Sequence, residues 1–116
     1  MQYRTFGRTG WQASEIGYGM WGMGGWSGSD DAESLASLHR AVEGGCTFFD
    51  TALAYGVGHG ERLLGQVVRA HPGRGLLVAT KVPPKNLKWP GKAEYPVAET
   101  FPADHIHEFT AKSLEN

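Results

Sequence analysis

The sequence holds a single cysteine, Cys46, so no internal disulfide can staple the fold. Set in an apolar run beside Phe48 and Phe49, Cys46 is expected to be a buried core thiol rather than a nucleophile. Neither sign of charge is in excess: eleven basic side chains meet twelve acidic ones, for a net charge of −1. That leaves no basic face to grip a phosphate backbone, and nucleic acid is not an expected partner. Apolar runs fall well short of the roughly 20 residues a membrane-spanning helix needs. The opening MQYRTFGRTG lacks the apolar stretch of a secretory signal. No membrane association is expected, and the cytoplasm is the predicted compartment. The five histidines show no metal-ligand spacing backed by a second cluster, so no metal site is expected.

What is abundant is glycine, at 17 of 116 residues, and tryptophan, at four. The length suits one small domain. Trp21 and Trp26 fall inside a glycine cluster, a composition suited to backbone lying close to a ligand under a flat apolar wall. Residues 2–14 read as a short β-hairpin turning at GRTG. EIGYG (15–19), CTFFD (46–50) and LLVAT (76–80) read as short buried strands. Between them lie two helical patterns. One starts at Asp30-Asp31, carries Leu35, Leu38, Ala41 and Val42 on one face, and stops at Gly44-Gly45. The other, ERLLGQVVRA (61–70), repeats Leu63, Leu64, Val67 and Val68 and ends at His71-Pro72-Gly73. The proline-rich stretch from Val82 to Pro102 is expected to be an ordered loop without helix or strand. A last helix is expected from near Pro102 through Ile106, Phe109 and Leu114. Strand followed by helix three times over predicts an α/β fold with parallel strands, either an open doubly wound sheet or an arc of a (β/α)8 barrel.

GYGMWG (17–22) spells the G-x-G-x-x-G of a dinucleotide-binding turn. That turn works only if a helix begins within it, so that the helix N-terminus meets the pyrophosphate. Here MGGWSGSDD follows, which no helix tolerates, and the acid that closes the second strand, Asp50, lies 28 residues past Gly22 rather than about 20. The fingerprint reading fails on geometry.

Polar residues at strand ends are the stronger signal. Asp50 closes the second strand, Lys81 follows the third at once, and Tyr55 lies just beyond Asp50. In parallel α/β folds, residues at these ends project into the ligand crevice. Adjacent strands lie about 4.8 Å apart, close enough for an Asp50–Lys81 ion pair. An ammonium beside a phenol favours the phenolate, which equips a tyrosine to give up a proton and take it back. A purely structural salt bridge covered by Tyr55 fits the spacing equally well.

FDTALAYGVGHGERLLG (49–65) with VATK (78–81) resembles the aldo-keto reductases, which fold as (β/α)8 TIM barrels and bind NADP(H). YRTFGRTGWQASEIGYGMWGMGG is similar to their N-terminal hairpin, first barrel strand and following loop, and FPADHIHEFTAKSLEN to their third helix. The resemblance implies a small-molecule aldehyde or ketone substrate. It implies Tyr55 as the general acid that protonates the carbonyl oxygen, Lys81 as its activator and Asp50 as the partner of Lys81. Gly19, Met20 and Trp21 match the loop beside nicotinamide and substrate, so they, with Asp50, are expected to touch cofactor, and Trp21 and Tyr55 to touch substrate. Two positions depart from the pattern: Leu53 stands where an acid is common, and Gly60 where serine is common. His59 matches the motif and is expected to be a loop or helix-start residue.

A whole barrel takes about 250 residues. Residues 1–116 are therefore expected to be one incomplete domain, a hairpin (2–14) and the first three β/α units (15–116) of a longer enzyme. The family's catalytic histidine would come from a fourth strand, and none of the five histidines here sits at a suitable strand end. The uncovered barrel-lining face, with Phe48 and Val78, is expected to promote self-association and leave the isolated chain inactive. Two other readings stand beside the enzyme: a short interaction module, and a catalytically idle NADP(H)-binding subunit.

Overall fold

The computed structural model describes residues 1–26 and 28–116. Strands β1 (Tyr3–Thr5) and β2 (Gln12–Ser14) pair antiparallel, with Arg4 opposite Ala13. A 3-10 turn at Gly7–Thr9 joins them, flanked by Gly7 and Gly10 in the left-handed region at φ 52° and 76°. This hairpin is tied to the strand entering the sheet. Ser14 and Thr47 exchange backbone-to-hydroxyl bonds at 2.9 Å each way, and the Phe6 ring stacks on Phe48 at 5.9 Å.

Strands β3 (Tyr18–Gly19), β4 (Phe48–Asp50) and β5 (Leu77–Ala79) form one parallel sheet in the order β3-β4-β5. They lie within the expected runs but are shorter. The register sets Tyr18, Phe49 and Val78 side by side, then Gly19, Asp50 and Ala79 one step on. Helix α1 (Asp31–Glu43) starts where Asp30 Oδ1 accepts the Glu33 amide at 3.0 Å, satisfying a free N–H of the first turn. It ends at Gly44, with Gly45 at φ 90°. Helix α2 spans His59–Ala70, two residues longer at its start than ERLLGQVVRA, and His59 indeed lies in its first turn. No α-helix begins within GYGMWG; a short 3-10 turn, Trp21–Met23, starts on its last two residues, and α1 begins only at Asp31.

The core forms where these helices meet the outer side of the sheet. Leu38 and Val42 of α1 and Leu63, Leu64 and Val67 of α2 close over Phe49 and Met20, both fully buried. Cys46 belongs to this cluster, its thiol directed at the Ile16 carbonyl, 3.4 Å away. Because side chains alternate along a strand, Phe49 facing the helices puts its neighbour Val78 on that side too. This corrects the expectation that Val78 lines the barrel face with Phe48. Val78 is 49% exposed because little of the helix layer covers it. The inner side carries Phe48, Asp50, Leu77 and Ala79, with Phe6 over Phe48.

The proline-rich stretch contains one helical turn, α3 (Val97–Thr100), which the reading of an uninterrupted loop missed. Thr100 closes it by returning both its amide and its hydroxyl to the Pro96 carbonyl. Helix α4 (Ala103–Glu115) follows, with Pro102 at its N-cap and only His105 buried. Among the described residues, no helix is long and apolar enough to cross a membrane.

Candidate active site

The ladder does not stop where the strands do. The Met20 amide bonds the Asp50 carbonyl at 2.9 Å, the Thr51 amide bonds Ala79 at 2.8 Å, and the Leu53 amide reaches Lys81 at 3.4 Å. Asp50 and Lys81 therefore leave the sheet in step. Lys81 Nζ donates to Asp50 Oδ1 at 2.5 Å and to the Thr51 carbonyl at 2.7 Å. Held from two sides, the ammonium lies 5.3 Å from the centre of the Tyr55 ring. The pair is open to solvent, with side chains 41% and 50% exposed.

Tyr55 sits on a tightly wound loop. Its amide bonds the Ala52 carbonyl at 2.9 Å, and its carbonyl accepts from Gly60 at 3.1 Å. Gly56, Val57 and Gly58 all take positive φ, at 66°, 52° and 83°. For the β-branched Val57 that conformation is strained, and such strain gathers at functional loops. Gly56 abuts the neighbouring loop so closely that a Cβ there would lie 2.7 Å from the Gly24 carbonyl oxygen. Trp26 folds back over Gly24, where a Cβ would lie 2.3 Å from its ring. From there it meets Tyr55 edge-on at 5.9 Å and Trp21 at 5.6 Å.

These loops enclose a cavity of about 420 Å³, lined by Trp21, Trp26, Tyr55, Lys81, Leu87 and Trp89 among others. A larger hollow of about 760 Å³ lies at the opposite ends of the strands, between the hairpin and Arg74–Leu77, and among the described residues no carboxylate lines it. The trio of Asp50, Lys81 and Tyr55 lies at the cavity end of the sheet.

Of the residues singled out in the sequence, Tyr55, Lys81 and Trp21 line this cavity, and Asp50 stands behind Lys81, bonded to its ammonium without lining the cavity itself. Gly19 lies beside Asp50 at the edge of the sheet, with open space where its side chain would be. Met20 is different: its side chain is in the core and its amide is bonded to Asp50, so only its backbone position bears on a ligand. Trp26, Leu87 and Trp89 join the site without having been assigned to it. The available signal was tryptophan in the loops after the strand ends, where Trp89 follows Lys81 by eight residues. Leu53 is buried, and Gly60 faces Thr51, whose buried hydroxyl has no hydrogen-bond partner. His59 bonds Asp31 at 2.8 Å, joining the starts of α2 and α1. Among the described residues, no histidine lines the cavity.

Residues 15–116 match the aldo/keto reductase family. The chain belongs to that family. As an aldo/keto reductase chain, it is 38% identical over 84 residues to aldo-keto reductase YhdN of Bacillus subtilis (strain 168), covering 70% of this chain and 25% of that protein. It is 33% identical over 117 residues to a probable voltage-gated potassium channel subunit beta of Oryza sativa subsp. japonica, covering 99% of this chain and 33% of that one. The holo form of aldo-keto reductase AKR11C1 from Bacillus halodurans superposes with a TM-score of 0.75 at 25% identity, over 99% of this chain and 36% of that structure. The aldo/keto reductase chain thus spans a quarter to a third of the length of these curated relatives. Its hairpin and three β/α units are part of a (β/α)8 barrel.

Proposed function

We propose that residues 1–116 form one incomplete domain that carries the proton-donating half of an NADP(H)-dependent carbonyl reductase site. The observation behind this reading is the convergence of Asp50, Lys81 and Tyr55 at the ends of β4 and β5, with the ammonium held beside the phenol ring. The open space over Gly19 and the Trp21 ring fit the flat nicotinamide end of the cofactor. Lys81 is the single cation lining the cavity among the described residues and is already paired, so the phosphates find no grip there. When bound, the reduced nicotinamide supplies hydride to the carbonyl carbon.

Tyr55 then gives its proton to the carbonyl oxygen, and the product leaves as an alcohol. Lys81 stabilises the phenolate left behind, and bulk solvent returns the proton to Tyr55. Asp50 and the Thr51 carbonyl act one step back, fixing Lys81 so that it does not drift into solvent. Trp26 limits the swing of the Tyr55 ring through its edge-on contact. In a protein that contains these residues and reduces carbonyl compounds, Tyr55→Phe should lower kcat by about 10²-fold or more while leaving cofactor affinity within about twofold. NADPH oxidation followed by absorbance, with a parallel NADPH fluorescence titration, checks both. Unchanged turnover would remove Tyr55 as the acid.

A further inference from the structure

Helices α1 and α2 both return antiparallel to the strands, so their C-terminal ends lie together at the end of the sheet away from Tyr55 and Lys81. One side chain from each meets the other there. His39, one turn before the end of α1, faces His71, the residue that caps α2. His39 Nδ1 lies 2.8 Å from His71 Nε2, and the ring centres are 5.0 Å apart. The two residues are 32 positions apart in the sequence, so no spacing rule exposes the pair. Both rings are half-buried, and each adjoins the core: Leu38 precedes His39, and Val67 lies one turn before His71.

Two imidazole nitrogens brought this close from separate helices are the start of a metal chelate. Imidazoles bound to one ion at about 2.1 Å put their ring centres roughly 4.6 Å apart at an octahedral angle and roughly 5.3 Å apart at a tetrahedral one. The observed 5.0 Å falls inside that span, so turning the rings, with little movement of the helices, admits an ion. The ends of two helices also bring their partial negative charge to this place, which favours a cation. Neighbouring arginines do not oppose it. Arg40 is paired with Glu43 at 3.3 Å, Arg69 reaches back toward Gly65, and Arg74 lines the hollow beside the hairpin.

We propose that His39 and His71 form a binding site for a late first-row transition metal dication such as Ni2+ or Zn2+. Among the described residues no third histidine, cysteine or carboxylate joins them, so water fills the remaining positions. The bound ion staples α1 to α2, the two helices packed over Phe49, at the end opposite Tyr55. A hydrogen bond between the rings and nothing more is the competing account.

Calorimetric titration of Ni2+ into the tag-free 116-residue chain separates the two, with Mg2+, which prefers oxygen ligands, as the comparison. One Ni2+ should bind per chain, and Mg2+ should not bind. His39→Ala and His71→Ala should each weaken Ni2+ at least about tenfold, whereas His107→Ala, exposed on α4, should leave it unchanged. Ni2+ should also raise the urea midpoint of the parent chain and of neither alanine variant. Should an alanine variant fail to fold, His39→Gln and His71→Gln keep a hydrogen-bonding side chain while removing the ligand, and the same loss is expected. No binding of Ni2+ by the folded chain, or binding that survives the loss of either histidine, would overturn the site.

Discussion

Helices α2 and α4 are nearly equal in length, at twelve and thirteen residues, and both place apolar side chains at helical spacing, yet they dock by different means. Leu63, Leu64 and Val67 of α2 sink into the cluster around Phe49. On α4 the stripe begins with Ile106 and Phe109 but reaches Ser113 where another apolar residue would continue it, and Leu114 is 83% exposed. What holds α4 is polar and confined to its ends. His105 and Asp104 engage Pro83 and Lys85 at one end, and Asn116 bonds the buried Glu61 at 2.8 Å at the other. Burial anchors the part of the molecule that aims Asp50 and Tyr55, whereas hydrogen bonds anchor the part that carries the Trp89 wall. Regions with few buried apolar contacts open at lower free energy. The wall is therefore the more adjustable side of the site.

The sharpest way to break this comparison is to remove one apolar side chain from each region. Phe49→Ala should cost about 3–5 kcal/mol in urea unfolding, and Leu114→Ala about 0.5 kcal/mol or less. Similar losses would mean that α4 is packed as α2 is. A smaller effect is expected at Gly60, where Thr51 lacks a partner. A Cβ there lies 3.0 Å from Thr51 Oγ1, so Gly60→Ala and Gly60→Ser crowd the site alike. Serine alone brings a hydroxyl, and it should be about 1 kcal/mol more stable than alanine by the same measurement. Equal stability would show that Thr51 finds its partner elsewhere.

The smallest effect is local and depends on pH. The backbone N–H of His105, and then the Lys85 ammonium, hold the Asp104 carboxyl below its ordinary value of 3.8. A depressed folded value means the support is complete above 3.8 and is lost as the pH falls through the lower folded value. Amide exchange at the start of α4 should therefore accelerate in that window before exchange in α2 does. Simultaneous acceleration in both helices would join the two regions into one cooperative unit.

Much of the frame was readable from local chemistry. Asp30 and Gly45 mark the ends of α1 because free amides and a left-handed turn need those residue types. Asp50, Tyr55 and Lys81 stood out because the ends of parallel strands are where polar residues can meet a ligand. The face of Val78 was not readable, since a run such as LLVAT is apolar on both sides and carries no alternation to orient it. The helical turn at Val97–Thr100 is four residues long, too short for any period, and rests on the bonds of Thr100 to Pro96. Trp26 and Trp89 reach the cavity through loops that double back, and contacts of that kind leave no trace in spacing.

Gly24 and Gly56 do not line the cavity, yet Gly56 is fixed by the approach of the Gly24 carbonyl, and Gly24 by the Trp26 ring folded over it. A side chain at Gly56 would press first on the Gly24 carbonyl and, through it, on the tryptophan lying above. A lineage that drifts at one of these positions must rebuild both loops together or keep both bare. Selection for a ligand would in that way be written at two residues the ligand never meets.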